Sequence, residues 1–144
     1  MVLSECINFV LTSAQNAVHL YFKKELQEFN VTPIQYALLK CLWDEDQLTP
    51  TQLAQTLSLD TSTIAGLLSR LESKELIVRT FCKTDRRRII VCLTDAGRIL
   101  QEPIERRIAE INQRITAQLT PEELGSFRAQ LQLIADTASA LANG

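Results

Sequence analysis

The chain has 144 residues, 46% of them hydrophobic and 22% charged, with four glycines and four prolines; this fits one ordinary domain and excludes a disordered chain and a turn-rich all-β fold. No apolar run approaches the ~18 residues that a membrane span needs, and residues 1–9 carry Glu5 and no basic residue, so neither a span nor a secretory signal is expected. The net charge of −2, taken alone, argues against nucleic acid.

Residues 3–29 read as a helix, because Leu3, Ile7, Val10, Leu11, Ala14, Ala17, Val18, Tyr21 and Phe22 recur at steps of three and four. Thr32-Pro33 opens a second helix bearing Leu38, Leu39, Leu42 and Trp43, and Thr49-Pro50 repeats the device before Leu53 and Leu57. Asp60 caps a fourth helix whose apolar positions are Ile64, Leu67, Leu68 and Leu71. The period then changes. Residues 76–81 and 88–93 are β-branched runs around a polar tip and predict a hairpin. Thr94 starts a helix expected to reach about Leu119, bent or adjusted near Pro103, with Ile104, Ile108, Ile111 and Ile115 as its stripe. Thr120-Pro121 begins a last helix carrying Leu124, Phe127, Leu131, Ile134, Ala138 and Leu141.

The order α-α-α-α-β-β-α-α predicts a mainly helical chain with a small β-hairpin wing. It reads as a winged helix-turn-helix flanked by N- and C-terminal helices. In that arrangement the helix over about 50–57 braces the one over about 61–73, which lies in a major groove. The face opposite its apolar stripe holds Thr61, Ser62, Thr63, Gly66 and Arg70. Small hydroxyls at a helix start suit phosphates and base edges, although the same trio also serves as plain capping.

The charge distribution supports this reading. Residues 70–88 hold seven basic side chains against three acidic ones, so the rest of the chain is markedly acidic. At the hairpin tip, the guanidinium groups of Arg86, Arg87 and Arg88 suit the negative potential of a minor groove; Arg87 is expected to insert, with Asp85 orienting it or Arg70, and Lys83 is counted with Arg86 and Arg87 among the DNA-binding residues. A solvated turn rich in arginine is the plainer alternative.

Over nearly its full length the chain resembles the MarR (multiple antibiotic resistance regulator) family. The resemblance is carried by Thr32-Pro33-Ile34-Gln35-Tyr36, Leu53-Ala54, Ser62-Thr63-Ile64, Arg70-Leu71-Glu72, Asp85-Arg86-Arg87 and Leu93-Thr94-Asp95-Ala96-Gly97. It implies a cytoplasmic homodimer that binds double-stranded DNA at a pseudo-palindromic operator and represses nearby genes. Three positions depart from the family pattern. Ala65-Gly66 replaces a polar residue followed by a basic one, Glu75 stands where a glycine commonly ends the reading helix, and Asn8 falls where the peroxide-sensing branch has its cysteine.

On this reading, residues 1–30 and 103–144 are dimerisation helices and 32–100 form the DNA-binding lobe. A small aromatic or phenolic effector is the expected releasing signal, with His19, Tyr21, Lys23, Tyr36 and Trp43 as candidates; core packing is the competing role for the aromatic pair. Cys6 is the candidate for a thiol-based redox signal, whereas Cys41, Cys82 and Cys92 sit in apolar runs and read as structural. The cysteines lack CxxC spacing and His19 is the single histidine, so no metal site or cofactor is expected. The absence of a nucleophile–base pair or phosphate loop makes an enzyme the weakest class. A winged-helix module that docks proteins without binding DNA is the remaining alternative.

Overall fold

A computed structural model describes residues 1–144. Its helices are α1 (Ile7–Leu26), α2 (Pro33–Asp44), α3 (Pro50–Leu57), α4 (Thr61–Ser73), α5 (Asp95–Ile99), α6 (Gln101–Ile115) and α7 (Pro121–Asn143). Between α4 and α5 lie two strands, β1 (Ile77–Phe81) and β2 (Ile89–Leu93). They pair antiparallel, from Ile77 opposite Leu93 to Phe81 opposite Ile89. Short 3-10 turns flank α1 at residues 3–5 and 27–29. The chain divides into two compact units, Met1–Ile108 and Ala109–Gly144.

Local chemistry sets the helix starts. Thr32, Thr49, Asp60, Thr94 and Thr120 each accept a hydrogen bond from the backbone N–H three residues on. At Thr32 and Thr49 the cap is reciprocal, because Gln35 and Gln52 accept from the capping residue's own N–H at 3.1 and 2.8 Å. Gln35 is buried, and its Oε1 also accepts from Lys74 Nζ at 2.8 Å. Lys74 donates as well to the Asn30 carbonyl at 2.7 Å, which ties the end of α4 to the start of α2.

The helix expected over 95–119 is divided. A proline ring clashes with the carbonyl four residues earlier, and for Pro103 that residue is Ile99. The break accordingly falls between Ile99 and Gln101, upstream of the proline, and the second segment ends at Ile115.

In the first unit, Leu38, Leu39, Leu42, Leu53, Leu68, Leu71, Ile77 and Val91 are fully buried or nearly so, which closes α2, α3, α4 and the hairpin on one core. Each such side chain contributes about 1.5–3 kcal/mol. A carbonyl of Leu48 accepts from Val91 N–H at 2.8 Å, so the loop between α2 and α3 lies along β2 as a one-bond third strand.

The α4 terminus is a full Schellman turn. Leu76 N–H reaches the Leu71 carbonyl at 3.1 Å and Glu75 N–H reaches that of Glu72 at 2.9 Å. Glu75 supplies the left-handed backbone this needs, with φ 60°. Glu75→Gly is therefore expected to raise stability by about 0.5–1 kcal/mol, since it removes the left-handed penalty at the cost of some unfolded-state entropy. Urea denaturation checks this; a lower midpoint would show that the glutamate side chain matters more than its backbone.

Candidate nucleic-acid interface

The start of α4 is built around Asp60. Its Oδ1 accepts from Thr63 N–H at 2.7 Å and from the Ser62 hydroxyl at 3.0 Å. The Thr63 backbone bond, followed by the bonds of the Thr63 and Ser62 side chains, holds the Asp60 carboxyl below the usual carboxylate range. Ile64, Leu67, Leu68 and Leu71 face the core, whereas Thr61, Ser62, Thr63, Ala65, Gly66, Ser69 and Arg70 are exposed on the opposite side. A Cβ added at Gly66 would meet no atom within 4 Å. Packing therefore does not demand glycine there; its effect is to keep the exposed face low, so that another backbone can come close.

The hairpin tip is ordered by its own backbone. Cys82 N–H donates to the Arg88 carbonyl at 2.9 Å, and Arg88 N–H donates to that of Asp85 at 3.0 Å. Asp85 Oδ1 accepts from Arg87 N–H at 3.0 Å, while the Arg87 guanidinium lies 3.9 Å away with its side chain 97% exposed. So Asp85 meets Arg87 and not Arg70, and it shapes the turn more than it grips the guanidinium; an ion pair this open contributes little energy. Lys83, Arg86 and Arg88 are likewise exposed.

Two residues of the basic stretch turn elsewhere. Lys74 is committed to Gln35 and Asn30, and Arg79 forks onto both Glu72 oxygens at 3.1 and 3.2 Å. The charge open to a partner is therefore concentrated at Arg70 and the wing tip. A cleft of about 480 Å³ is bordered by Pro50, Ala54, Thr61, Ala65, Arg79 and Ile89, whereas Arg70 lies in a separate depression with Ile34, Ser62, Thr63 and Gly66. A second groove sets Arg87 and Arg88 beside the start of α3 at Thr49–Gln52. The reading helix, the bracing helix and the wing thus border one continuous region of the lobe.

His19 lies in an open depression with Gln15, Asn16, Pro33 and Ile34. Tyr36 and Trp43 pack as a tilted pair with ring centroids 6.2 Å apart. Trp43 Nε1 donates to the Gly97 carbonyl at 3.0 Å, so its polar edge is occupied in holding α5. Burial pushes the Tyr36 hydroxyl up. Tyr21 is half-buried and Lys23 is exposed on α1.

All four cysteines are free thiols. Cys6 caps the start of α1 without a side-chain hydrogen bond. Burial pushes the Cys41 thiol up, whereas the Thr84 hydroxyl at 3.2 Å pulls that of Cys82 down. In the sequence Cys82 reads as structural, as one of three cysteines in apolar runs. Nothing in the sequence singles out Lys40, which reaches Asp44 at 2.7 Å and Glu105 at 2.9 Å, because Glu105 lies 65 residues away in the chain.

No helix is long and apolar enough to cross a membrane. A family model described as MarR family matches residues 31–89. The chain is 34% identical over 100 residues to the HTH-type transcriptional regulator MgrA of Staphylococcus aureus, covering 69% of this chain and 68% of that protein. Among solved structures, the S. aureus MepR–DNA complex superposes with TM-score 0.85 at 27% identity, covering 91% of this chain and 97% of MepR. The PcaV transcriptional regulator of Streptomyces coelicolor, solved in complex with its natural ligand, gives TM-score 0.83 at 30% identity and covers 96% and 97%.

Proposed function

The chain belongs to the MarR family of DNA-binding transcriptional regulators, and on that footing we propose that it acts as a cytoplasmic homodimer on a pseudo-palindromic operator and represses nearby genes. The observation that carries the reading is the exposed, small-residue face of α4 together with a wing tip whose arginines are exposed to solvent. Thr61, Ser62, Thr63, Gly66 and Arg70 are assigned to the major groove. Lys83, Arg86 and Arg87 are assigned to the backbone and minor groove, with Asp85 shaping the tip. The lobe over 32–100 does the reading.

Pairing is assigned to residues 1–30 and 103–144. In the single chain α7 buries none of its residues and exposes Phe127, Leu133, Ile134 and Leu141, while α1 exposes Ile7, Val10, Val18 and Leu20. Apolar faces of this extent mark interaction surfaces, and a second copy is the partner proposed. Release by a small ligand is supported by PcaV, solved in complex with its natural ligand; that the ligand of this chain is aromatic or phenolic is part of the proposal. His19, Tyr21, Lys23, Tyr36 and Trp43 are the residues assigned to it. Such a ligand acts only by binding one state better than the other.

Selection of bound duplexes from a random pool tests the reading. The expected winner is an inverted repeat with half-sites about one helical turn apart, bound by two chains. Arg87→Ala should weaken binding to every duplex and flatten the salt dependence by about two units of slope, one for each chain, whereas Thr63→Val should shift preference at one position of each half-site. Unchanged binding by the arginine variant would contradict the wing assignment.

A further inference from the structure

A hairpin delivers its tip accurately only if its base is held. Glu72 holds β1 through Arg79, and on the β2 side a second carboxylate does the holding. Asp46 stands in the loop between α2 and α3, its side chain only 19% exposed. Its Oδ1 accepts from Leu93 N–H at 3.0 Å, at the end of β2, and from Gln47 N–H at 2.8 Å. Its Oδ2 accepts from Arg98 Nη2 of α5 at 2.6 Å. Two residues on, the Leu48 carbonyl takes the Val91 N–H of the same strand. Gln47 between them has φ 64°, a left-handed backbone that a non-glycine residue keeps only where its surroundings over-determine it.

The outer edge of β2 is thereby fastened at Val91 and Leu93, and its other end runs straight into Arg88 and Arg87. From Leu93 to Arg87 is roughly 20 Å of strand, so a tilt of about 10° at the base moves the tip by about 3 Å. That is the difference between meeting a phosphate and missing it.

We propose that Asp46 is a positioning residue for DNA binding: through β2 and Arg98 it fixes the tilt of the wing, and so the place where Arg86 and Arg87 meet the duplex. The inference rests on the wing reading above, and the test separates the two. Full-length variants Asp46→Ala, Arg98→Gln and Arg87→Ala, with the two pairs that include Arg87→Ala, are titrated on the selected operator over a salt series.

Asp46→Ala is expected to bind about tenfold more weakly, with a salt slope flatter by about two, one for each wing. In the Arg87→Ala background the same change should cost clearly less than it does in the wild type, because one of the wing contacts that it misplaces is already gone. Arg98→Gln leaves both Oδ1 bonds in place, so it keeps the question answerable if the alanine variant fails to fold. A smaller loss is expected from it, again reduced without Arg87. Equal losses in both backgrounds would overturn the inference, as would wild-type binding by Asp46→Ala and Arg98→Gln alongside weak binding by Arg87→Ala. Wild-type binding by Arg87→Ala would overturn the wing reading itself and this inference with it.

Discussion

Gly97→Ala is expected to destabilise the chain by about 3 kcal/mol and to lower its melting temperature by about 10 °C. A Cβ built at Gly97 lies 2.2 Å from the Leu76 carbonyl oxygen and 3.2 Å from Leu93 Cδ2. The first of these is backbone and cannot rotate away. It is also already used, since the Leu76 oxygen accepts Thr94 N–H at 3.1 Å. Gly97 is held in turn by its N–H to Thr94 Oγ1 at 3.1 Å and by its carbonyl to Trp43 Nε1 at 3.0 Å. A methyl group there forces α5 off the junction of α4 and β1 and strains these bonds together. Gly66→Ala supplies the control. Its added Cβ meets nothing, so relief of glycine's entropy cost should stabilise α4 by about 0.5–1 kcal/mol. Thermal unfolding followed by circular dichroism reads both. An unchanged melting temperature for Gly97→Ala would mean that α5 has room the structure does not show.

The second large effect concerns pairing. A fragment ending at Leu119 is expected to sediment as a single chain and to bind operator roughly a hundredfold or more weakly than the full chain. It lacks α7, whose 23 residues bury nothing within one chain. One reading head makes half the phosphate contacts and loses the second head's high local concentration. Leu133→Glu in the full chain makes the same test without a deletion, because Leu133 is an exposed apolar side chain where a charge costs little in a lone chain. In a pair it would be buried unpaired. A fragment that stays dimeric with operator affinity intact would defeat the assignment of the pairing helices.

What the sequence makes legible here is local. Thr32-Pro33, Thr49-Pro50 and Thr120-Pro121 mark helix starts because a cap and the backbone N–H that it accepts from lie three residues apart, and all three helices begin there. The apolar stripe of α4 and the β-branched runs beside it are read from period alone, which also places Thr61, Ser62, Thr63, Gly66 and Arg70 on the outside. Glu75 was visible as a departure from glycine, and the structure gives that departure its physical content, a left-handed φ.

The misses have a common cause, action at a distance along the chain. Pro103 disturbs the helix at Ile99, not at itself, because the clash is with the carbonyl four residues back. Lys74 counts as a surface charge in the sequence, yet in the fold it reaches Asn30 and Gln35, about forty residues away in the chain. Arg107 likewise meets Glu25 and Glu28 near the end of α1 and lies over the Phe29 ring. Asp46 sits in an acidic run that reads only as a helix stop. No spacing rule connects it to Leu93 or Arg98.

The central claim is that paired copies of α4 and the wing read duplex DNA, and a salt titration of the full chain on the duplex upstream of its own coding region tests it most directly. The account predicts two chains per site and an affinity that falls by about a thousandfold or more between 50 and 200 mM salt. A lone chain that binds this duplex no tighter than unrelated DNA at every salt concentration would contradict it.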